Sequence, residues 1–399
     1  MSIVNRIRTA PHDDPMTTPG GWGAIAVLAL ATFVVVTSEM LPVGVLTPMS
    51  RGLAISAGST GFSLAITGVV TAVTAPVVVR LIGATDRRLV LAAATAVLAV
   101  GNLVTALANG FAVLAAGRVI VGVGMGAVWA LAAAVAPRLV RPRHSAAAVS
   151  IVVGGVAVAS VLGVPVGTFV GELAGWRSAF ALLAAAALAL SLALVLVLPP
   201  LPHPSTRTSA GTASAQWWHV PAVRTGLAVI VFIVTAHFAA YTYVRPALEQ
   251  LAGLDASAIS ALLLIYGAFG LVGNFTAGAG AARHARITLL VLVSGVTIAL
   301  LGLVLAGALA GAVVAVAIWG LAYGGLSVCG QLWMNQAAPE HREQVTGVYV
   351  GVFTGSIALG AFAGGIVIDA VGLHPLLWAA IVTAVAALLI GAVGRAPRR

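Results

Sequence analysis

Long apolar runs, interrupted by few charges, constrain the fold of this chain more than any other feature of its sequence. Of the 399 residues, 61% are hydrophobic and 8% are charged, against about 25% charged residues in soluble proteins. A helix needs about 20 apolar residues to cross a bilayer, so the runs predict membrane-spanning helices. Twelve helices with short connections, at about 33 residues each, account for the whole chain and leave no sizeable soluble domain.

Twelve apolar runs bounded by charges, Pro or Gly predict an all-α integral membrane protein. The predicted helices are 22–46, 58–82, 89–108, 112–136, 146–170, 178–198, 223–246, 257–281, 287–307, 311–336, 345–369 and 375–394. The middle of the chain is rich in Pro, Ser and Thr, which predicts a cytoplasmic linker. This linker, residues 201–221, separates an N-terminal six-helix bundle, 1–200, from a C-terminal one, 222–399.

The distribution of arginine explains the net charge of +10. With the N-terminus in the cytoplasm, sixteen of the 20 arginines fall on or beside cytoplasmic loops, whereas Arg51, Arg177 and Arg245 fall on the opposite side. This asymmetry predicts that both termini are cytoplasmic, and it accounts for the positive charge without a nucleic-acid partner. No removable signal peptide is predicted, because the N-terminal segment lacks a short apolar core with a cleavage site. The single cysteine, Cys329, excludes internal disulfides and is predicted to be buried.

The two halves resemble each other at a nearly constant offset. A shift of 198 residues places Thr37 on Thr235, and the same shift places Pro48 on Pro246. Two parallel six-helix repeats joined by a linker are typical of rocking transporters with a substrate site between the halves.

Three ionisable residues are predicted inside the bilayer, where a charge costs at least about 2.5 to 3.5 kcal/mol. Glu39, Arg118 and His237 lie roughly 10, 9 and 13 Å below the outer helix ends at 1.5 Å per residue, and the shift of 198 places Glu39 on His237. We predict that Glu39 carries a coupled proton, since the proton affinity of a carboxyl group differs between water and contact with Arg118. A static pair of Glu39 and Arg118 that fastens two helices is the alternative. His237 either handles protons or substrate, or packs through hydrogen bonds.

Aromatic and amide side chains on several helices are predicted to line a cavity for a neutral polar substrate, such as a sugar or a nucleoside. They are Trp129, Tyr241, Asn274, Gln331 and Asn335. Hydrogen bonding between helices is the alternative role of these residues. Arg245 follows His237 and Tyr241 on one helix stripe near the outer surface, where it either snorkels or takes part in function.

Five segments carry a likeness to a known family. They are residues 39–56 (EMLPVGVLTPMSRGLAIS), 83–91 (GATDRRLVL), 117–135 (GRVIVGVGMGAVWALAAAV), 171–180 (GELAGWRSAF) and 234–244 (VTAHFAAYTYV). The chain resembles, over nearly its whole length, the twelve-helix drug:proton antiporter branch of the major facilitator superfamily. The first four segments are similar to its purine ribonucleoside exporters and the fifth to its sugar exporters. The resemblance implies the major facilitator fold and proton-driven efflux, with Glu39 and Arg118 as the first-helix acid and the fourth-helix arginine.

The resemblance also implies a gating motif in the short loop after the second helix, at Asp86, Arg87 and Arg88. This loop keeps the Asp-Arg pair of the superfamily but not its full glycine pattern. Residues 163–167 (GVPVG) depart from the Gly-Pro-x-x-Gly-Gly of many drug antiporters. The departure favours sugar or nucleoside export over multidrug export.

The sequence therefore predicts a secondary active exporter that exchanges a small polar molecule, of nucleoside/purine or sugar type, for protons by alternating access. A drug or antibiotic efflux pump is the alternative. An integral-membrane enzyme, the alternative from another class, would need acids, His or Cys at catalytic or metal spacing, and the sequence offers no such cluster. We expect a monomer in the bacterial inner membrane, surrounded by lipids and driven by the proton gradient without cofactor or metal.

Overall fold

The computed structural model of this protein describes residues 20–83, 85–201, 218–305 and 309–397. The N-terminal half contains α1 (Gly20–Gly44), α2 (Leu46–Leu53), α3 (Ala57–Leu81), α4 (Arg87–Ala106), α5 (Phe111–Val135), α6 (Ser145–Val158), α7 (Val164–Ala174) and α8 (Trp176–Val197). A π-helical turn, Ala159–Gly163, joins α6 to α7. The C-terminal half contains α9 (Pro221–Tyr241), α10 (Val244–Ala252), α11 (Ala256–Leu305), α12 (Leu309–Ala337), α13 (Arg342–Val371) and α14 (Leu373–Val393).

Within the described residues, eleven helical segments are long and apolar enough to cross a membrane. The longest, α11, has 50 residues and a non-helical backbone at His284 (φ −143°, ψ 69°), where the chain turns. At 1.5 Å per residue a helix of this length measures about 75 Å, more than twice the bilayer core of about 30 Å. Its two arms, 256–283 and 285–305, are therefore separate crossings, and the prediction of twelve is confirmed.

Each half has a hydrophobic core of its own. One cluster of buried side chains runs from Ala24 to Leu201, and the other is built mainly from residues 223–387. Most of the predicted linker, residues 202–217, and both chain ends lie outside the described residues. The exact boundaries of the halves and the cytoplasmic termini therefore stay predictions.

Helix boundaries repeat between the halves at the offsets that the sequence predicts. A shift of 198 places α2 on residues 244–251, and α10 is Val244–Ala252. A shift of 199 places the start of α3 on residue 256, where α11 begins. A shift of 197 places 145–174, the span of α6 and α7, on 342–371, which are the bounds of α13. These regions are structural repeats.

The predicted seventh helix, 223–246, extends too far. The structure ends α9 at Tyr241 and starts α10 at Val244. Pro246 explains the break, because it has no N–H to donate to the carbonyl four residues earlier and is tolerated only in the first turn of a helix. Pro48 has the same position in α2, just after α1 ends.

The loops lie on two faces of the molecule. We call the face that carries α2 and α10 the distal face, and the face that carries residues 85–86 and 136–144 the proximal face. The predicted orientation makes the distal face external. Polar side chains of the two halves bond to each other at the distal face through a set that we call the distal clasp: Thr47, Ser56, Glu172, Arg245, Glu249 and Asp369. The halves are thus closed on each other at the distal face.

Candidate functional site

Arg118 on α5 forms hydrogen bonds with the main chain of α1. The Arg118 side chain is fully buried, and it donates from Nη1 to the Ser38 carbonyl (2.9 Å) and from Nη2 to the Glu39 carbonyl (3.1 Å). Pro42 lies inside α1, and a proline cannot donate to the carbonyl four residues earlier, which here is that of Ser38. Arg118 therefore supplies the hydrogen bond that Pro42 removes.

The Glu39 carboxyl group is not tied into an ion pair with Arg118. Glu39 keeps 6% of its surface exposed, whereas Arg118 keeps none. The ion pairs found in the described part of the chain are Arg88–Asp86, Arg245–Glu172 and Arg245–Glu249. In this structure the arginine fastens the main chain of α1 and forms no direct ion pair with the Glu39 carboxylate, so the choice between proton coupling and a static pair stays open.

His237 on α9 is surrounded by aromatic rings and is 1% exposed. It stacks on Tyr323, with ring centroids 3.4 Å apart and planes 5° from parallel, and on Tyr241 at 5.1 Å and 19°. The Trp319 indole Nε1 donates to His237 Nδ1 over 2.9 Å, while the Tyr266 hydroxyl lies 3.5 Å from Nε2. A ring nitrogen that accepts a hydrogen bond carries no proton, so this geometry belongs to a neutral imidazole.

The rings around His237 form one group on three crossings, which we call the aromatic cluster: His237, Phe238, Tyr241, Tyr266, Trp319 and Tyr323. Tyr323 alone in the cluster is half-buried, and the other members are 7% exposed or less. Tyr323 is thus the member of the aromatic cluster that keeps the most exposed surface.

The two halves position these groups in equivalent ways. The shift of 198 places Glu39 on His237, and a shift of 201 places Arg118 on Trp319. Arg118 donates to the main chain at Glu39, and Trp319 donates to the His237 ring. Each half therefore has a buried donor that reaches its first crossing from its fourth.

The predicted substrate-binding residues fall at different depths. Tyr241 belongs to the aromatic cluster, whereas Gln331 donates to Thr346 Oγ1 over 2.7 Å and the same hydroxyl lies 3.4 Å from Asn335 Oδ1. Gln331 lies six residues from the proximal end of α12, or about 9 Å, and Tyr323 lies about 21 Å from it. The structure thus brings Gln331 and Asn335 together, but on a lower level than His237.

Trp129 and Asn274 are also apart from the aromatic cluster. Trp129 lies six residues before the end of α5 and is 38% exposed. Asn274 lies near the middle of the first arm of α11 and is half-buried. Both therefore belong to the lower level, nearer the proximal face.

The predicted gating loop bonds within its own half. Asp86 caps the start of α4, with Oδ1 accepting from the Arg88 N–H and from the Leu201 N–H, each over 2.9 Å. The Arg87 N–H donates to the Leu201 carbonyl over 3.2 Å, and the Arg88 side chain reaches Asp86 at 3.7 Å. These contacts join the loop to the first residue of the predicted linker.

Arg245 is buried at the boundary between the halves. It is 4% exposed, so the snorkelling interpretation is wrong. Its guanidinium lies 2.5 Å from Glu172 Oε1 and 2.8 Å from Glu249 Oε1, and Nη1 donates to the Gly44 carbonyl over 2.7 Å. Arg245 thus binds the end of α1 and a carboxylate of the opposite half.

Asp369 adds a second contact between the halves at the distal face. On α13, it accepts from the Ser56 hydroxyl over 2.5 Å and from the Gly58 N–H over 2.9 Å. Both donors lie at the N-terminus of α3, where backbone N–H groups lack partners within the helix. A side chain of one half therefore caps a helix of the other.

Sequence reasoning missed Trp319 and Tyr323 of the aromatic cluster as site residues. Trp319 and Tyr323 stand four residues apart, so they share one face of α12. That spacing, together with the shift that places Arg118 on Trp319, was the available signal. Among the described residues, no group of three or more His, Cys, Asp or Glu side chains could hold a metal ion.

Residues 28–361 match the Major Facilitator Superfamily. The transcription regulatory protein OpdE of Pseudomonas aeruginosa is 32% identical over 373 residues, which cover 93% of this chain and 92% of OpdE. The purine ribonucleoside efflux pump NepI of Escherichia coli O1:K1 is 31% identical over 381 residues, which cover 95% of this chain and 96% of NepI.

Two kinds of solved structure share the fold. A bacterial homologue of the human lysosomal transporter Spinster, in an inward-facing and unoccupied conformation, has a TM-score of 0.76 at 16% identity and covers 94% of this chain and 97% of its own. A variant of the nucleoside transporter NupG has a TM-score of 0.76 at 13% identity and covers 93% of this chain and 98% of its own. These likenesses concern the fold alone.

Proposed function

This chain belongs to the Major Facilitator Superfamily, and on that premise we propose that it exports a purine nucleoside, or a related small polar molecule, in exchange for protons. It is a multi-pass membrane transporter and not an enzyme. The proposal places it in the bacterial inner membrane, with the proton gradient as its energy source.

Two observations support the substrate class. The chain is similar to the purine ribonucleoside efflux pump NepI over nearly the full length of both proteins. It also has a half-buried aromatic ring, Tyr323, on the fourth crossing of its C-terminal half, and flat rings favour partners that stack on them.

The position of Glu39 carries the coupling proposal. Its side chain is buried, and Arg118 bonds to the main chain of α1 and forms no direct ion pair with that carboxyl among the described residues. A buried acid that is not locked in a direct ion pair is suited to bind and release a proton as its surroundings change. In the proposed cycle, Glu39 takes a proton when the site opens to the distal face and releases it when the site opens to the proximal face.

Alternating access requires contacts that break and contacts that persist. The distal clasp joins residues of opposite halves, so it must open for release at the distal face. The bonds from Arg118 to α1 lie within one half, so they persist while the halves rock. Glu39 therefore moves with the N-terminal half as a fixed part of it.

A drug efflux pump is the second proposal, favoured by the same half-buried ring of Tyr323. Flat apolar drugs stack on a tyrosine as nucleobases do. The name of OpdE assigns a regulatory role to that protein, and we do not transfer this role to the present chain. The described residues form no domain outside the membrane-spanning helices to which such a role could be assigned.

Transport in proteoliposomes tests the proposal. With an imposed pH gradient, wild-type protein should drive accumulation of labelled inosine, and Glu39→Gln should abolish the gradient-driven part. Glu340→Gln is the matched control, because Glu340 is an exposed acid in a proximal loop, and it should transport as wild type does. Undiminished gradient-driven transport by Glu39→Gln would contradict coupling through this acid. A wild type that moves flat drugs but no inosine would favour the drug pump.

A further inference from the structure

We propose that Asn102 on α4 is a positioning residue for Glu39, which it holds in place through a hydrogen bond to the neighbouring residue, Ser38. The inference rests on the proposed function and deepens it, because it adds a second helix to the groups that fix the coupling acid. The Asn102 amide contacts neither the substrate nor the proton. It determines where the turn of α1 that carries Glu39 lies.

The turn of α1 around Glu39 depends on donors from outside its own helix. Pro42 lies inside α1 and has no N–H for the Ser38 carbonyl, so this turn lacks one of the hydrogen bonds that keep a helix straight. Arg118 donates to that carbonyl and to the carbonyl of Glu39. Because external partners replace the missing bond, any further bond to Ser38 affects the position of Glu39.

Asn102 supplies such a bond from a different helix. Its amide Nδ2 donates to Ser38 Oγ over 2.9 Å, and also to the Leu98 carbonyl of its own helix over 3.0 Å. Asn102 and Ser38 are both fully buried, and a hydrogen bond is electrostatically stronger in a protein interior than in water. Ser38 is thus bonded at its main chain by α5 and at its side chain by α4.

The two helices that carry these donors pack backbone to backbone at this level. A Cβ atom at Gly101 would lie 2.6 Å from the Val121 nitrogen, and one at Gly117 would lie 2.9 Å from the Thr105 nitrogen. Small residues allow such close packing of helices in a membrane. We therefore treat α4 and α5 as one platform, which holds α1 at two points.

The half of the molecule without the acid lacks this bond. The shift of 198 places Ser38 on Ala236, and a shift of 199 places Asn102 on Leu301. Neither of these two residues has a side chain that forms hydrogen bonds. A bond that only packed the first crossing against the third would serve both halves equally, so its presence in one half favours a role tied to the acid.

The test compares transport driven by a pH gradient with exchange at equal pH, both in proteoliposomes. Asn102→Leu removes the amide, and it should lower gradient-driven accumulation of labelled inosine at least about fivefold, the effect of losing one buried hydrogen bond. Exchange of inosine should stay within about twofold of wild type, because the carrier then returns loaded with substrate and transfers no proton.

Thr95→Val is the matched control for Asn102→Leu. Thr95 is buried on the same helix, but its hydroxyl bonds to the Leu91 carbonyl of that helix, so this variant should leave both kinds of transport unchanged. Monodisperse elution and an unchanged melting temperature show that a variant is folded. If Asn102→Leu does not fold, Ser38→Ala provides the same test, because it removes the other partner of the bond.

The outcomes separate this inference from the proposed function. Ser38→Ala should reproduce the effect of Asn102→Leu, and the double variant should show no further loss, because both changes remove one bond. Gradient-driven transport and exchange that fall in the same proportion would show that Asn102 only supports the fold, and unchanged gradient-driven transport would also overturn the inference. If wild type shows no gradient-driven transport, or Glu39→Gln retains it in full, the coupling proposal falls and this inference falls with it.

Discussion

Arg118 and Pro42 act on the same carbonyl, that of Ser38, so their effects on stability should depend on each other. Arg118→Met leaves this carbonyl without its donor, and we expect it to lower the free energy of unfolding by about 1 to 3 kcal/mol. In a Pro42→Ala background, residue 42 can donate to Ser38, and the same substitution should cost about 1 kcal/mol less. Thermal unfolding in detergent measures both differences, and strictly additive costs would contradict the shared carbonyl.

Trp319 and His237 form a second buried pair whose partners should be coupled. Trp319→Phe keeps the ring but leaves His237 Nδ1 without a donor, which should cost about 1 to 3 kcal/mol of stability. Replacing both partners by apolar rings, in Trp319→Phe with His237→Phe, should be less destabilising than Trp319→Phe alone, because the buried acceptor that Trp319→Phe leaves without a donor is then removed as well. Melting temperatures of the three variants test this, and a double variant less stable than the single one would refute it.

At the scale of residues, the sequence identifies the ionisable groups but not how they bond. The cost of burying charge marks Glu39 and Arg118 as special, and the structure brings them together. Their contact runs through main-chain carbonyls, which every residue has and which no side-chain pattern reveals. Trp319 and Tyr323 were missed for a different reason: aromatic residues in an apolar run look like ordinary core.

Asp255 fixes the start of α11 from outside the membrane-spanning segment. The Ala258 N–H, followed by the Ser257 hydroxyl, bonds to its carboxylate and lowers the pKa of Asp255 below the ordinary value. Because the folded pKa is lowered, the stabilisation is present above the ordinary pKa and is lost as pH falls through the folded pKa. Asp255→Asn should therefore melt below wild type at neutral pH, with a difference that shrinks as pH falls below the ordinary pKa of an aspartate and disappears below the folded pKa.

The same pH series has an internal comparison. Glu340→Asn changes an exposed acid that caps no membrane-spanning helix, and its difference from wild type should not vary in this way. A difference between Asp255→Asn and wild type that stays constant from neutral to acid pH would show that the charge of Asp255 does not stabilise α11.

At the scale of elements, apolar runs predicted every crossing. Each crossing needs a minimum number of apolar residues to span the bilayer, and runs of that length stay distinct in the sequence even where the loops between them are short. Errors occur where a helix breaks for a local reason. The predicted seventh helix continues through Pro246, although the missing N–H of that proline already marks a break. The turn at His284 inside α11 was predicted correctly, because the charges of Arg283 and Arg286 mark a boundary between two predicted helices.

The distal clasp should set the balance between the two conformations of the whole molecule. Arg245→Ala and Asp369→Asn each remove bonds between the halves, so either should raise the population open at the distal face by about fivefold or more. Spin labels introduced by Arg51→Cys and Gln250→Cys, both exposed on that face and in opposite halves, report the opening as a longer distance by pulsed electron resonance.

Two features make this experiment decisive. Asp369→Asn removes a charge and retains an oxygen for the Gly58 N–H, so a shift with this variant does not depend on the Glu172 and Glu249 carboxylates that Arg245→Ala leaves without their partner. Glu340→Gln, at the proximal face, should leave the distances unchanged. Unaltered distances in both clasp variants would show that other contacts close the distal face.

At the scale of the whole molecule, the repeat was the most informative sequence signal. A nearly constant offset predicted which helices correspond, and α2 with α10 and α6–α7 with α13 do correspond. The clasp was not predictable, because its partners come from five helices, and those of opposite halves are remote in sequence. The contacts between the halves of a transporter change with its conformation. The sequence is the same in every conformation, so it does not specify the contacts of one of them.

The main-chain bonds of Arg118 also make position 39 a convenient place for a reporter group. Because Arg118 donates hydrogen bonds to main-chain carbonyl oxygens, it should hold α1 in the same place whatever side chain residue 39 carries. The native thiol, Cys329, is fully buried, so in a Glu39→Cys variant the introduced thiol on α1 would be the more accessible of the two. Its rate of modification from either side of a membrane vesicle would then record, in real time, which way the transporter is facing.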